Sequence, residues 1–233
     1  MRQTEKPRQL PLDLEHAPGM SRDDLVISPA NAAAAAVIER WPDWPGPVVV
    51  LSGPAGSGKS HLGAIWREIS GAAHLAPSSL ADDAAAAASR GPVLIDDIDS
   101  VPLDDRDLFH LINVVRSARS HLLLTSRRFP AVWGARLPDL VSRLKAATVI
   151  EIAEPDDLLL AGVITKLFAD RQIAVEPHVV QYLVRRIERS LSTAMCVVER
   201  LDHAALEQKT RITRALAAEV ISALDHGQAE LGL

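Results

Sequence analysis

Cysteine is almost absent: the chain of 233 residues has one, Cys196. A single thiol excludes an internal disulfide and a cysteine-built zinc cluster, and it accords with a reducing compartment. Aromatic residues are scarce, at 3%. The core must then be aliphatic, and abundant alanine, the best helix former, points to a helix-rich fold. A basic excess is also lacking, since 25 Lys and Arg face 30 Asp and Glu for a formal net charge of -5. Proteins that mainly wrap nucleic acid carry a basic domain, so strong direct DNA binding is not expected. No window offers the ~18 apolar residues of a membrane span. The first 24 residues hold no apolar run of signal-peptide length. No membrane association is expected, and the expected location is cytoplasmic. What is present, 48% hydrophobic and 24% charged residues, is the balance of an ordinary globular protein. The length allows one large domain or two small ones.

Residues 1–24 read as a flexible polar tail broken by Pro7, Pro11, Pro18 and Gly19. Inside it lies Gln9-Leu10-Pro11-Leu12-Asp13-Leu14. In an extended segment its three leucines project to one side. The alanine run from Asn31 to Trp41 predicts a helix, stopped by Pro42, Pro45 and Pro47. Continuous apolar runs at 48–51, 93–95, 122–124 and 149–152, with a weaker one at 73–75, read as strands covered on both faces. Helical patterns lie between them near 59–70, 80–89, 105–119 and 137–145. The alternation predicts an α/β domain over 25–155 with a mostly parallel sheet flanked by helices. After Pro155 the segments 156–171, 177–188, 192–209 and 213–225 all read as helices, with Thr213 as N-cap of the last. They predict a small all-helical domain over 156–233.

The strongest motif is Gly53-Pro54-Ala55-Gly56-Ser57-Gly58-Lys59-Ser60, a G-x-x-x-x-G-K-[ST] match between an expected strand and an expected helix. Its glycines let the backbone bend and approach phosphates. Its N–H groups and the following helix N-terminus present positive partial charge to an anion. Lys59 is placed to reach the β- and γ-phosphates and Ser60 to ligate Mg2+. Val93-Leu94-Ile95-Asp96-Asp97 supplies the opposing carboxylates at the carboxyl end of a strand. Asp96 is the metal-side candidate, and Asp97 is the candidate for orienting an attacking water. A third strand ends in Thr125 and Ser126, either of which is a candidate contact to the γ-phosphate or the water.

These segments together resemble the AAA+ ATPases, and within them the DnaA-like branch. GKSHL, Gly58 to Leu62, resembles that branch's phosphate loop, which brings His61 into the nucleotide-binding set. VLIDDID, Val93 to Asp99, looks like its Asp-Asp strand. LLTSRRFP, Leu123 to Pro130, is similar to sensor 1, and LVSRL, Leu140 to Leu144, to the arginine-finger segment. LVISPAN, Leu25 to Asn31, is similar to the segment that packs near adenine, adding Val26 and Asn31 as candidates. The resemblance implies an AAA+ P-loop sheet followed by a helical lid, with ADP or ATP and Mg2+ as cofactors. Arg127 stands where the branch has an acidic residue. Ser192 falls at the sensor 2 arginine's position; either Arg189, one turn earlier, reaches inward instead or the contact is lost. Both departures imply weak or absent ATP hydrolysis by the chain alone.

The chain stops at Leu233 after the lid, without a counterpart of the initiator's DNA-binding helix-turn-helix. QLPLDL, Gln9 to Leu14, is similar to the clamp-binding motif Q-L-x-L-x-[LF]. This combination resembles the Hda family of DnaA regulatory inactivators. The resemblance implies a negative regulator of replication initiation, tethered to the DNA polymerase III sliding clamp (its beta subunit), that stimulates ATP hydrolysis by DnaA. The arginine supplied in trans is then Arg143, with Arg127, Arg128 and Arg136 nearby as the alternatives to serve the interface. A head-to-tail homo-oligomer is a candidate assembly. A DnaC-like helicase loader is the first alternative, but it calls for a helicase-binding element and a basic groove. A P-loop kinase is the second, but it calls for an arginine-bearing lid inside the α/β core.

Overall fold

Five strands carry the apolar runs in a computed structural model that describes residues 22–80 and 83–231. They are β1 (Val48–Ser52), β2 (Ala73–Leu75), β3 (Val93–Ile95), β4 (Leu122–Ser126) and β5 (Thr148–Glu151). Every pairing is parallel and the order is β2-β3-β4-β1-β5. The Gln9–Leu14 hexapeptide lies outside the described residues.

An all-parallel sheet must be covered on both faces, and period-2 alternation divides each apolar run between two cores. Val48, Val50, Val93, Ile95, Leu122 and Leu124 face one cluster. Residues of three helices complete that cluster; in chain order with those of the other face they are numbered as follows. α1 spans Ala32–Glu39, α2 Lys59–Ser70, α3 Asp83–Ala88, α4 Asp105–Ser117 and α5 Pro138–Lys145. α3, α4 and α5 supply the first cluster, while Val49, Leu51, Leu94 and Leu123 pack with α1 and α2 on the other face. Gly63 lets α2 approach closely, because a Cβ there would sit 3.3 Å from Leu94 Cδ1.

At the amino edge, the fully buried Trp66 of α2 stacks on Trp44 at 5.1 Å and meets Trp41 edge-on at 6.5 Å. Both outer rings also contact His121, just before β4. Burial there pushes the His121 pKa down, against a backbone hydrogen bond involving Pro42 that raises it. Trp41 and Trp44, expected from the sequence to pack the base of the first strand, gather with Trp66 three of the scarce aromatics into one plug.

The remaining helices are α6 (Asp157–Asp170), α7 (Pro177–Arg186), α8 (Leu191–Gln208) and α9 (Arg214–Leu231). Thr213 Oγ1 accepts from Leu216 N at 3.3 Å at the start of α9, which runs six residues past the expected 225. The chain divides into a sheet unit reaching Leu159 and a helical unit from Leu160 onward, and Arg189–Leu191 belongs to the sheet unit. No helix among the described residues is long and apolar enough to cross a membrane.

Candidate functional site

The loop between β1 and α2 is built around glycines that nothing larger can replace. A Cβ on Gly53 would lie 2.4 Å from the Ile152 carbonyl oxygen. One on Gly56, whose φ is +69°, would lie 2.1 Å from Ser190 Oγ. Gly58 turns into α2 at φ +93°, a conformation that favours glycine. The returning segment clamps the loop from outside, with Leu191 N donating to the Gly56 carbonyl at 2.8 Å. Between the glycines, Pro54 is half-buried and Ala55 exposed. Ser57 Oγ is buried with no hydrogen-bond partner among the described residues.

Lys59 opens α2 with its side chain tucked back under the loop. Its Nζ donates to the carbonyls of Gly53 at 2.8 Å and Pro54 at 2.7 Å. The residue is only 6% exposed. Burial holds the ammonium's pKa below its usual value; Asp97, Asp96 and Asp99 pull it up while Arg127 pushes it further down. Ser60 is exposed on the first turn and His61 half-buried beside it.

β3 and β4 are neighbours, so their ends meet. Thr125 Oγ1 donates to Asp96 Oδ1 at 2.5 Å and accepts from Asp97 N at 2.8 Å. Thr125 projects toward α2, and Ser126 takes the other direction. Ser126 Oγ donates to the Arg128 carbonyl at 2.8 Å and lies 3.1 Å from Ser52 Oγ. Of the two hydroxyls, only Thr125 is joined to the carboxylate pair. Asp97 is left-handed at φ +54°, and its carboxylate accepts from Arg127 Nη2 at 3.2 Å.

Two acids that motif reasoning passed over fix this edge. The Asp99 side chain, 3% exposed, accepts from the backbone N–H groups of Arg127 and Arg128 and from Arg128 Nε. Burial raises its pKa, but those hydrogen bonds outweigh burial and leave it below the usual value. Asp105 Oδ2 accepts from Arg136 N at 2.6 Å and Leu137 N at 2.8 Å, pinning the start of α5. The signal for each was a lone Asp among several, and only the fold supplies its partners.

The other candidates lie around this centre. Asn31, 5% exposed, accepts from Ser28 N and donates to the Val26 carbonyl. It shapes the 26–31 segment with its own side chain, and Val26 is half-buried there. That segment is tied to the end of the sheet, because Ala153 N donates to the Ala30 carbonyl. The Arg189 guanidinium donates to the Pro155 carbonyl at 3.2 Å and to Asp157 Oδ1 at 2.8 Å, which hold it against the 155–157 segment. Ser192 is exposed at the second position of α8.

Arg143 sits at the far end. α5 carries the chain from the carboxyl end of β4 back to the start of β5, whose Thr148 pairs in parallel beside Val49. Arg143 lies five residues before that strand start, toward the amino edge and away from its own phosphate loop. It is half-buried, and among the described residues its side chain has no hydrogen-bond or ion-pair partner. β5 is an edge strand.

The residues present fit a bound nucleotide with its cation. The glycine cradle has no room for a Cβ, Ser57 Oγ lacks a partner, and a buried lysine faces two carboxylates. Ser60 and Asp96 are the residues that would hold Mg2+, which keeps several non-protein ligands in such sites.

Loop, strand order and helical unit together give a P-loop sheet with a helical lid, the fold of AAA+ proteins. Its fold matches domain III of the Thermotoga maritima replication initiation protein DnaA with a TM-score of 0.75 at 15% identity, covering 88% of this chain and 97% of that one. AMPPCP-bound DnaA from Aquifex aeolicus matches with a TM-score of 0.68 at 17% identity, over 80% of this chain and 67% of that one. The Thermotoga maritima RuvB Holliday junction branch migration motor matches with 0.70 at 17% identity, over 89% of this chain and 72% of that one. Fold alone therefore does not separate the initiator from the motor. Residues 163–221 match the family model described as the Hda lid domain. The chain thus has the fold of DnaA domain III and carries a segment that matches the Hda lid.

Proposed function

We propose that this protein is a nucleotide-bound negative regulator of replication initiation. Tethered to the DNA-loaded sliding clamp, it supplies Arg143 to the ATP site of DnaA. The supporting observation is the position of Arg143. It lies at the amino edge, beside an edge strand, where a second molecule reaches it and the chain's own loop does not. A guanidinium placed on the γ-phosphate from outside stabilises transition-state charge, an effect of ~10³–10⁵ in related phosphoryl transfers.

In its own site, ADP or ATP is held rather than rapidly turned over. The loop N–H groups from Ala55 to Ser60 bind the phosphates, and Lys59 exchanges the Gly53 and Pro54 carbonyls for them. Bound Mg2+ neutralises phosphate charge. Asn31 positions Val26 beside the base. Asp97 is already engaged by Arg127, so it is a poor group for orienting water. The Gln9–Leu14 segment is the clamp ligand, with Leu10, Leu12 and Leu14 entering apolar pockets, Gln9 as a polar anchor, and Pro11 and Asp13 facing away. The site of action is the cytoplasm.

The test mixes this protein, clamp loaded on DNA, and DnaA carrying labelled ATP, and follows the nucleotide on DnaA. Conversion to ADP that requires both other components supports the reading. Conversion at the same rate without either of them refutes it.

A further inference from the structure

The helical unit holds a cationic pocket that the reading above does not use. His178, Gln181, Tyr182 and Arg185 recur on α7 at i, i+3, i+4 and i+7, which places them on one face. With Arg186 and with Arg214, the first residue of α9, they line a pocket of about 320 Å³. The Tyr182 ring gathers the charges: the guanidinium carbons of Arg186 and Arg214 lie 5.8 and 5.0 Å from its centroid, close enough for attraction to the ring face. Among the described residues, no carboxylate pairs with Arg185, Arg186 or Arg214. Arg214 also stands in the first turn of an 18-residue helix with no acidic residue in that turn, where the helix dipole disfavours a cation. Three guanidiniums are thus concentrated against their mutual repulsion, and an anion relieves it.

We propose that this pocket binds the phosphate backbone of duplex DNA. The lining holds three guanidiniums, an imidazole, an amide and a phenol but no carboxylate, a donor set that suits a phosphate-bearing surface. Guanidinium matches phosphate with paired hydrogen bonds, and Gln and Tyr side chains commonly contact phosphate and sugar. From His178 to Arg186 the helix advances about 12 Å. Duplex DNA presents about seven phosphates over that length, so several contacts form together. The binding is weak and electrostatic, confined to one face of a chain whose net charge is -5. Three neutralised phosphates give a slope of about -2.7 in log affinity against log salt, a loss of roughly 40-fold between 50 and 200 mM.

The test measures anisotropy of a labelled 30-base-pair duplex titrated with the full chain across that salt range. Arg185→Glu/Arg214→Glu is expected to weaken binding at least tenfold at 50 mM salt and to reduce the slope by about two. Arg90→Glu/Arg116→Glu, an equal charge change on the sheet unit, is expected to bind nearly as the unaltered protein does. Arg185→Gln/Arg214→Gln gives the same direction if charge reversal unfolds the helices, which circular dichroism reports. Equal losses in the two Glu pairs, no duplex binding by the unaltered protein at 50 mM salt, or tighter binding of a polyglutamate peptide than of duplex would overturn the proposal.

Discussion

Arg127 Nη2 lies 3.2 Å from Asp97 Oδ2, placing a guanidinium on the carboxylate proposed as the candidate for orienting water. The two side chains are 60% and 35% exposed, so the pair contributes little stability, ~0–1 kcal/mol. Its consequence is chemical. Positioned acid–base groups contribute ~10²–10⁴ to rate, and releasing one in an otherwise inhibited site is expected to recover about tenfold. Arg127→Ala should therefore raise the chain's own ATP turnover about tenfold without lowering its melting temperature measurably. Arg127→Ala/Asp97→Ala should return to the original turnover. An unchanged rate in the single variant contradicts this role for the pair.

Lys59→Ala is expected to abolish the thermal stabilisation given by Mg-ADP or Mg-ATP. Ligand at 100 times its dissociation constant stabilises the native state by ~2.7 kcal/mol, so the shift in the unaltered protein is readily measured. The variant also loses the two hydrogen bonds to Gly53 and Pro54 and should melt somewhat lower without nucleotide. Equal nucleotide-dependent shifts in both proteins would remove Lys59 from the binding site.

Asp99 makes stability depend on acid. Its folded pKa is held below the ordinary value by the hydrogen bonds from Arg127 and Arg128, which outweigh burial. A depressed carboxylate contributes stability above its unfolded value, ~3.9. That contribution is lost as pH falls through the lower folded value. Asp99→Asn is expected to cost ~1.5–3 kcal/mol at pH 7, the scale of hydrogen bonds to a charged group, and the gap to the unaltered protein should close below pH ~4. Urea denaturation at the two pH values measures it; a gap of constant size would show that the charge on Asp99 does not matter.

Much of this site is legible in the sequence because its chemistry is local. Gly53 to Ser60 is one contiguous loop, and Asp96 directly follows an apolar strand. The five strands are legible because burial on both faces leaves uninterrupted runs such as Val48 to Leu51. What escapes is whatever depends on strand adjacency. Arg127 and Asp97 are 30 residues apart, and they meet only because β3 lies beside β4. The anchors made by Asp99 and Asp105 leave no periodic trace. The last helix is read too short because His226, Gly227 and Gln228 interrupt its apolar pattern, and glycine costs ~1 kcal/mol in a helix.

Asp105 positions the helix that carries Arg143. Its carboxylate accepts from both Arg136 N and Leu137 N, and removing it leaves two N–H groups to find other partners, at ~1–3 kcal/mol. Asp105→Ala is expected to lower stimulation of DnaA several-fold while nucleotide binding is unchanged. Asp105→Asn, which keeps an accepting oxygen, should restore part of it. A variant with full stimulation would show that the start of α5 needs no such anchor.

The tail is tested by replacing Gln9, Leu10 and Leu12 with alanine. A fully buried leucine contributes ~1.5–3 kcal/mol, and ordering each backbone residue costs ~1–2 kcal/mol. A short segment then binds with little to spare, and losing two leucines should eliminate clamp binding in a pull-down or sensor assay. Nucleotide binding and melting temperature should stay unchanged. Clamp binding that survives the triple replacement would remove the tether.

The most direct measurement is single-turnover hydrolysis of labelled ATP on DnaA, with DNA-loaded clamp and either the unaltered protein or Arg143→Ala. The account predicts that Arg143→Ala still binds clamp and nucleotide but leaves DnaA at its unstimulated rate, a loss of the order of the ~10³–10⁵ a guanidinium supplies in such reactions. Stimulation by Arg143→Ala equal to that of the unaltered protein would contradict it.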